Sequence, residues 1–201
     1  MPLIGAPPPG SFEDFLFHAL NLAGTNVVVD VFMAAVTALG GTYIIALLAV
    51  PLWWRGHREA TFDFLVLLAI TVVLTTFLQV AIGRPRPCDV LTDTRTIPWG
   101  YECPEFPSFP SGHASRAFAV AGFIVIRYRW RFGGPALAFA EFVALSRVYL
   151  GVHWPTDVLA GALLGLGMAL AYEGVTRRLQ VYSRVRRRIV EAIPHLPKRT
   201  V

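Results

Sequence analysis

The sequence predicts an all-helical membrane protein: a bundle of about five transmembrane helices, preceded by a short N-terminal helix at the membrane surface, in one domain over residues 1–201. Hydrophobic residues make up 55% of the chain and charged residues only 15%. The apolar residues gather in runs of membrane-spanning length rather than an even scatter, and most basic residues lie between those runs or at the C-terminus. Nothing in the 201 residues reads as a linker between two domains.

The opening MPLIGAPPPG has no basic stretch and no small-residue cleavage site ahead of the first run, so it does not resemble a signal peptide. Residues 12–23, FEDFLFHALNLA, space apolar side chains at roughly helical intervals with Glu13, Asp14 and His18 among them. That is the pattern of a helix lying in the interface. Five longer runs follow, approximately Val27–Trp54, Phe62–Ile82, Ala114–Ile126, Pro135–Leu150 and Val158–Tyr172. Several are shorter than the roughly 20 residues of a full span, so their helices must extend into flanking polar residues. Within the fifth, Gly161 and Gly165 form a small-xxx-small face suited to helix packing. Trp53, Trp54, Trp130 and Trp154 fall near helix ends, as interfacial anchors do.

Arginine and lysine set the orientation. Arg55 and Arg58 follow the first run, Arg127, Arg129 and Arg131 the third, and eight basic residues from Arg177 to Arg199 the fifth. If each run crosses once, these thirteen of the 18 basic residues share one side, which the positive-inside rule makes the cytoplasm. A multi-pass protein of the cell membrane is then expected, with its N-terminus outside and a basic cytoplasmic tail over about residues 177–201. The net charge of +5 follows from topology, and no basic stripe interleaved with aromatics points to nucleic acid.

Arg84, Arg86, Arg95, Arg116 and Arg147 lie on the opposite, outer side. Positive charge that ignores the topology rule needs another reason, and anion binding is the obvious one. The same alternation puts GRPRPCDVLTDTRTIPWGYECPEFPSFPSGHASR and SRVYLGVHWPTD on the outer face, where segments distant in sequence can share a site.

In the second segment Pro155 suits the first position of a helix, with His153 just ahead of it and Asp157 in its first turn. Asp157 can accept a hydrogen bond from one imidazole nitrogen and leave the other as nucleophile or base. Arg147 adds a planar cation suited to phosphate oxygens. A lone His-Asp pair would read as a buried helix cap; Ser146, Arg147, His153 and Asp157 together point to a site. In the first segment Pro110, Ser111 and Gly112 precede an apolar helix whose first N–H groups, around Gly112 and His113, can hold an anion. Glycine allows close approach, and His113 is a candidate general acid.

Cationic groups and donors around a nucleophile are what phosphoryl transfer demands. Two histidines with few carboxylates form no usual metal cluster, the cysteines have no zinc-like spacing, and Gly-rich nucleotide loops are absent from the sequence. The expectation is metal-independent, cofactor-free chemistry through a phosphohistidine. Cys88 and Cys103, with 14 residues between them in the outer loop, are either a disulfide worth about 3 kcal/mol in an oxidising compartment or two free thiols.

These segments resemble the type 2 phosphatidic acid phosphatase family of integral membrane lipid phosphatases. PSGH at Pro110–His113 and SRVYLGVHWPTD at Ser146–Asp157 match two of the family's three motifs in full. The remaining motif is a lysine followed after six residues by Arg-Pro. Its Arg-Pro falls on Arg86 and Pro87 in QVAIGRPRP, which leaves Gln79 at the lysine position. The resemblance covers about residues 79–157 and implies roles for each match. His153 attacks phosphorus, Asp157 orients it, His113 protonates the leaving oxygen and later activates water, and Arg86, Ser111, Gly112 and Arg147 hold the phosphate. Gln79 still donates a hydrogen bond but brings no charge, and a charge-assisted contact is worth about 1.5–3 kcal/mol. Arg116, one turn beyond His113, either replaces that charge, binds a second phosphate, or snorkels to the interface.

The resemblance implies a lipid phosphate substrate, with surrounding membrane lipid and no nucleic acid as partners. An outward site suits a polyprenyl diphosphate such as undecaprenyl diphosphate. Phosphatidylglycerol phosphate, phosphatidic acid, and phosphoryl transfer to another lipid are the alternatives, and retention of both histidines and Asp157 argues against a lipid-binding pseudoenzyme. The motifs do not encode an oligomeric state.

Overall fold

A computed structural model of the chain describes residues 3–21, 23–24, 26–95, 97 and 103–193. Lys198 and Arg199 of the tail, and residues 96 and 98–102 of the outer loop, lie outside the described residues. The described residues form ten helices and no strand. α1 (Phe12–Asn21) matches the expected surface helix. Ser11 Oγ accepts from the Asp14 N–H at 3.3 Å, Phe17 is buried against Trp154, and Phe12 and Phe15 are exposed.

The first apolar run, expected as one span, is three helices: α2 (Val27–Leu39), α3 (Thr42–Leu47) and α4 (Ala49–Trp54), bent by 59° after α2. The cause is local. Gly40 lies where a Cβ would come within 2.5 Å of Val143 Cγ1, and Gly41 follows it. Pro51 has no N–H to give Leu47, so the chain breaks again at Leu48.

α5 (Arg58–Ile82) is the longest helix, stopped by Gly83 in the left-handed conformation, whose N–H bonds Gln79 O at 2.9 Å. A single turn, α6 (Pro87–Val90), precedes α7 (Gly112–Tyr128), α8 (Trp130–Tyr149) and α9 (Pro155–Arg178). α7 is the central rod and packs on α5, α8 and α9. Its contact with α9 is made backbone to backbone. A Cβ on Gly161 would lie 2.6 Å from Ser111 O, and one on Gly165 would lie 2.2 Å from Ser115 O.

By length and composition α5 and α9 can cross a membrane, and the bent α2 with α3–α4 passes the same test as a pair, as a broken span or a re-entrant loop would. α7 has 17 residues, about 26 Å of helix. α8 carries Glu141 and Arg147 within its 20 residues. α7 is buried along most of its length, whereas α8 is buried mainly in its last two turns around Arg147 and leaves Glu141 exposed.

The basic segment after α9 is helical, where the sequence promised only a tail. α10 (Gln180–Ala192) turns Tyr182, Arg186 and Val190 toward the bundle and leaves Arg184, Arg187 and Arg188 exposed or partly so. Its anchor is Asp63 on α5, which is fully buried. Asp63 receives Arg127 of α7 at 2.5 Å, Arg186 of α10 at 2.7 Å, and the hydroxyls of Tyr172 and Tyr182. Arg127 also meets Glu173 of α9 at 2.9 Å. This network gathers one end of the bundle. The opposite end collects the C-termini of α5 and α8 and the N-termini of α7 and α9.

Candidate active site

The motif residues come together at that second end because four helix termini meet there. Pro155 starts α9 at N1, so Asp157 falls in the first turn while His153 stays in the α8–α9 connection. Asp157 Oδ2 accepts from His153 Nδ1 at 3.3 Å and from the Trp154 N–H at 2.9 Å. On the other side of the ring, Arg86 Nη1 stands 3.1 Å from His153 Nε2. A guanidinium has no acceptor, so Nε2 carries the lone pair and Nδ1 the proton. Burial first, then the fields of Arg86 and Arg147, hold the imidazole well below its usual range, so His153 is neutral.

Arg86 is aimed by three carbonyls besides: Phe106 O at 2.6 Å, Val152 O at 2.7 Å and Pro107 O at 3.3 Å. Ser111 caps α7 without a side-chain bond, and its buried Oγ has no partner among the described residues. The Ser111 N–H donates to Asp157 O at 2.9 Å and ties the start of α7 to the start of α9. At the second residue of α7, His113 Nδ1 is 3.3 Å from Arg116 Nη2. The same guanidinium lies over Gly112, where a Cβ would come within 2.9 Å of Nη1. Arg147, 2% exposed at the end of α8, donates to Thr37 Oγ1 on α2 at 2.6 Å.

Gln79 is next to the site but turned to its frame: Nε2 donates to Pro110 O at 3.0 Å, bracing the Pro-Ser-Gly-His turn. The sulfurs of Cys88 and Cys103 are bonded, with Cα atoms 5.9 Å apart, which pins the outer loop to α6. Those two cysteines and Asp89 form the one cluster of potential metal ligands among the described residues, and both thiols are used by the disulfide.

The arginines expected to bind anions divide into two groups. Arg95 pairs with Asp30 at 2.7 Å and bonds Tyr149 Oη at 3.0 Å, so it holds α2 to α8. Arg84 pairs with Asp157 Oδ1 at 2.6 Å and Glu13 Oε2 at 2.9 Å, and donates to Thr156 Oγ1 at 2.7 Å. Both are neutralised by carboxylates, whereas Arg86, Arg116 and Arg147 surround the histidines. Two other expectations change. Ser146 Oγ bonds Val143 O at 2.7 Å within its own helix and takes no part in the site. Trp154 is fully buried and donates to Pro85 O at 3.0 Å, so it is a core residue rather than an interfacial anchor.

Sequence reasoning missed that Arg84 and Glu13 hold the far side of Asp157. Glu13 Oε1 also accepts from the Thr156 N–H at 3.1 Å, capping α9 from the surface helix. The available signal was an acidic residue at the start of a surface helix with an arginine beside the aligned Arg-Pro, and only folding connects the two. Chemically, the arrangement offers a neutral, oriented imidazole lone pair, a second imidazole beside Arg116, and guanidiniums and a hydroxyl unpartnered among the described residues for an oxyanion.

A model of the PAP2 superfamily matches residues 60–180. An undecaprenyl-diphosphatase of Sulfolobus acidocaldarius is 29% identical over 170 residues, 81% of this chain and 78% of the relative. Undecaprenyl-diphosphatase BcrC of Bacillus subtilis is 26% identical over 183 residues, 89% and 91% of the two chains. Among solved structures, a transmembrane PAP2-type phosphatidylglycerolphosphate phosphatase from Bacillus subtilis superposes with a TM-score of 0.69 at 26% identity, covering 84% of this chain and 86% of the other.

Proposed function

The chain belongs to the PAP2 superfamily, and from that premise we propose that it hydrolyses a polyprenyl diphosphate, such as undecaprenyl diphosphate, through a phosphohistidine at His153, without metal or cofactor. The observation that carries the reading is the His153 ring, with its proton directed at Asp157 and its lone pair at Arg86. His153 Nε2 attacks the terminal phosphorus. Asp157 holds the ring and balances the charge that grows on it as the N–P bond forms. Arg86, Arg147, the Ser111 hydroxyl and the N–H groups around Gly112 take the phosphoryl oxygens. His113 faces the leaving oxygen, and water then releases inorganic phosphate from His153.

The pattern of basic residues supports a site at the outer face of the cell membrane with α10 in the cytoplasm. An apolar cavity of about 400 Å³ begins at Ala117, next to Arg116 in sequence, and is lined by Ala117, Val120, Ala121 and Ile124 of α7 with residues of α2, α3 and α8. Its place along α7 suits an isoprenoid chain whose diphosphate sits at the helix start. The relatives named as undecaprenyl-diphosphatases favour this substrate. Phosphatidylglycerol phosphate is the second reading, favoured by the matched Bacillus subtilis structure.

Phosphate release from a panel of polyprenyl and glycerolipid phosphates, in excess chelator and with and without an added lipid acceptor, tests the proposal. Polyprenyl diphosphate should be the preferred substrate, chelator should have no effect, and His153→Ala should lose about 10³-fold or more of kcat. Activity abolished by chelator and restored by a divalent cation would defeat the metal-independent mechanism.

A further inference from the structure

We propose that Arg116 is the cation for the departing phosphate of a diphosphate substrate, and that it makes this site select a lipid diphosphate over the monophosphate of the same lipid. The inference rests on the assignment of His153 as nucleophile. Arg116 lies one turn after His113, with Nη2 3.3 Å from His113 Nδ1. Its Nε is buried and has no hydrogen-bond partner among the described residues. No carboxylate pairs with it among the described residues, although Arg84 and Arg95 at the same end of the bundle each have one. A half-buried guanidinium with its innermost donor unmet is arranged for an anion that arrives with the substrate.

The two histidines show which part of the substrate that anion is. Arg86 donates to His153 Nε2 and leaves its proton on Nδ1; Arg116 donates to His113 Nδ1 and leaves its proton on Nε2. One ring presents a lone pair and the other an N–H. Arg86 therefore belongs to the nucleophile's side and Arg116 to the leaving group's side. Gln79 donates to Pro110 O, so the cation next to His113 comes from α7 and not from α5.

What leaves depends on the substrate. From a lipid monophosphate, the His153 Nε2–P bond forms as the P–O bond to the lipid breaks, and the electron pair goes to an alcohol oxygen that needs a full proton. From a diphosphate, the bridging P–O bond breaks and the pair goes to the oxygen of the lipid monophosphate. That oxygen is a far weaker base, and it can leave with a hydrogen bond and a matching positive charge. A neutral His113 with Nδ1 occupied by Arg116 offers an Nε2–H hydrogen bond and a charge beside it. Those are the needs of a departing phosphate, not of a departing alkoxide. Water then attacks phosphorus on His153, and inorganic phosphate departs with the imidazole restored.

The test compares kcat/KM for farnesyl diphosphate and farnesyl phosphate with the purified full-length protein in detergent. Arg116→Ala should lower the diphosphate-to-monophosphate ratio at least tenfold, and Arg116→Lys, which keeps the charge, should recover most of it. An unchanged ratio, or equal losses on both substrates, overturns the inference and leaves the His153 reading standing. If the unaltered protein cleaves neither substrate, or His153→Ala cleaves both normally, that reading falls and the inference with it. Should Arg116→Ala fail to fold, competition on the unaltered protein decides: farnesyl methylenebisphosphonate should inhibit at least tenfold better than farnesyl phosphonate, and equal inhibition overturns the inference.

Discussion

His153 and His113 are one residue type held in two tautomers, and the distinction comes from which nitrogen meets a guanidinium. Neither ring's tautomer can be read from the motifs, because each is set by a residue distant from it in sequence (Arg86 for His153) or by a rotamer (Arg116 for His113). The neutral state of His153 has a consequence for stability. In the unfolded chain its pKa returns to about 6.5. The unfolded state therefore binds the extra proton first, and the contribution of neutral His153 to stability, full above about pH 6.5, is lost as the pH falls from there toward the folded value. Melting measured in detergent from pH 7.5 to 5 should drop on the acid side, and His153→Gln should flatten that drop. An identical pH dependence in the variant would contradict it. Gln79 shows how a departure from a family pattern resolves once its partner is seen: without charge, it serves the Pro110 carbonyl.

At the scale of the element, the α7–α9 contact decides where the site can form. Gly161 and Gly165 let the two backbones touch beside Ser111 and Ser115, so the start of α7 reaches the first turn of α9. The small-residue spacing was legible because it repeats at a helical interval on an otherwise bulky helix. Gly165→Leu would force a side chain into Ser115 O and should destabilise by about 1–3 kcal/mol or more, with loss of activity. Gly167→Ala on the same helix has open space around it and should be neutral or slightly stabilising, by up to about 1 kcal/mol. Equal melting temperatures for the two variants would remove the close crossing as the cause. The break in the first run was less legible: Gly40, Gly41 and Pro51 are visible, but glycine and proline also occur in unbroken spans. Packing of Val143 against Gly40 makes the difference here.

Across the whole molecule, polar groups are concentrated at the two ends of the bundle. One end is built around His153 and the other around Asp63. The latter ties four helices through two arginines and two tyrosines. Burial, then the bond to Asp63, pushes the Tyr182 hydroxyl up to about 12, so it stays a donor at neutral pH. Asp63→Asn removes the charge that Arg127 and Arg186 share. Each keeps a second carboxylate, Glu173 or Glu59, and both are partly exposed, so the cost should be about 1–3 kcal/mol rather than the full penalty of a broken buried pair. α10 should then loosen, and trypsin should cut faster between Arg184 and Arg188. An unchanged cleavage rate would show that α10 is held by other means. The sequence marked this region only as basic, because the residues that dock it alternate with exposed arginines and their partner lies on α5.

The sequence by itself determined that the chain is a helical membrane protein and where its polar motifs stand relative to the apolar runs. Those properties depend on composition, local periodicity and residues within a few positions of one another, as with His153 and Asp157. Only the tertiary structure decided which arginines are already neutralised, which tautomer each histidine adopts, that Ser146 and Trp154 are packing residues, and that Glu13 of the surface helix braces the site. Each of these depends on charges and donors brought within hydrogen-bond distance from separate helices, and a low-dielectric bundle makes such pairing costly to leave incomplete.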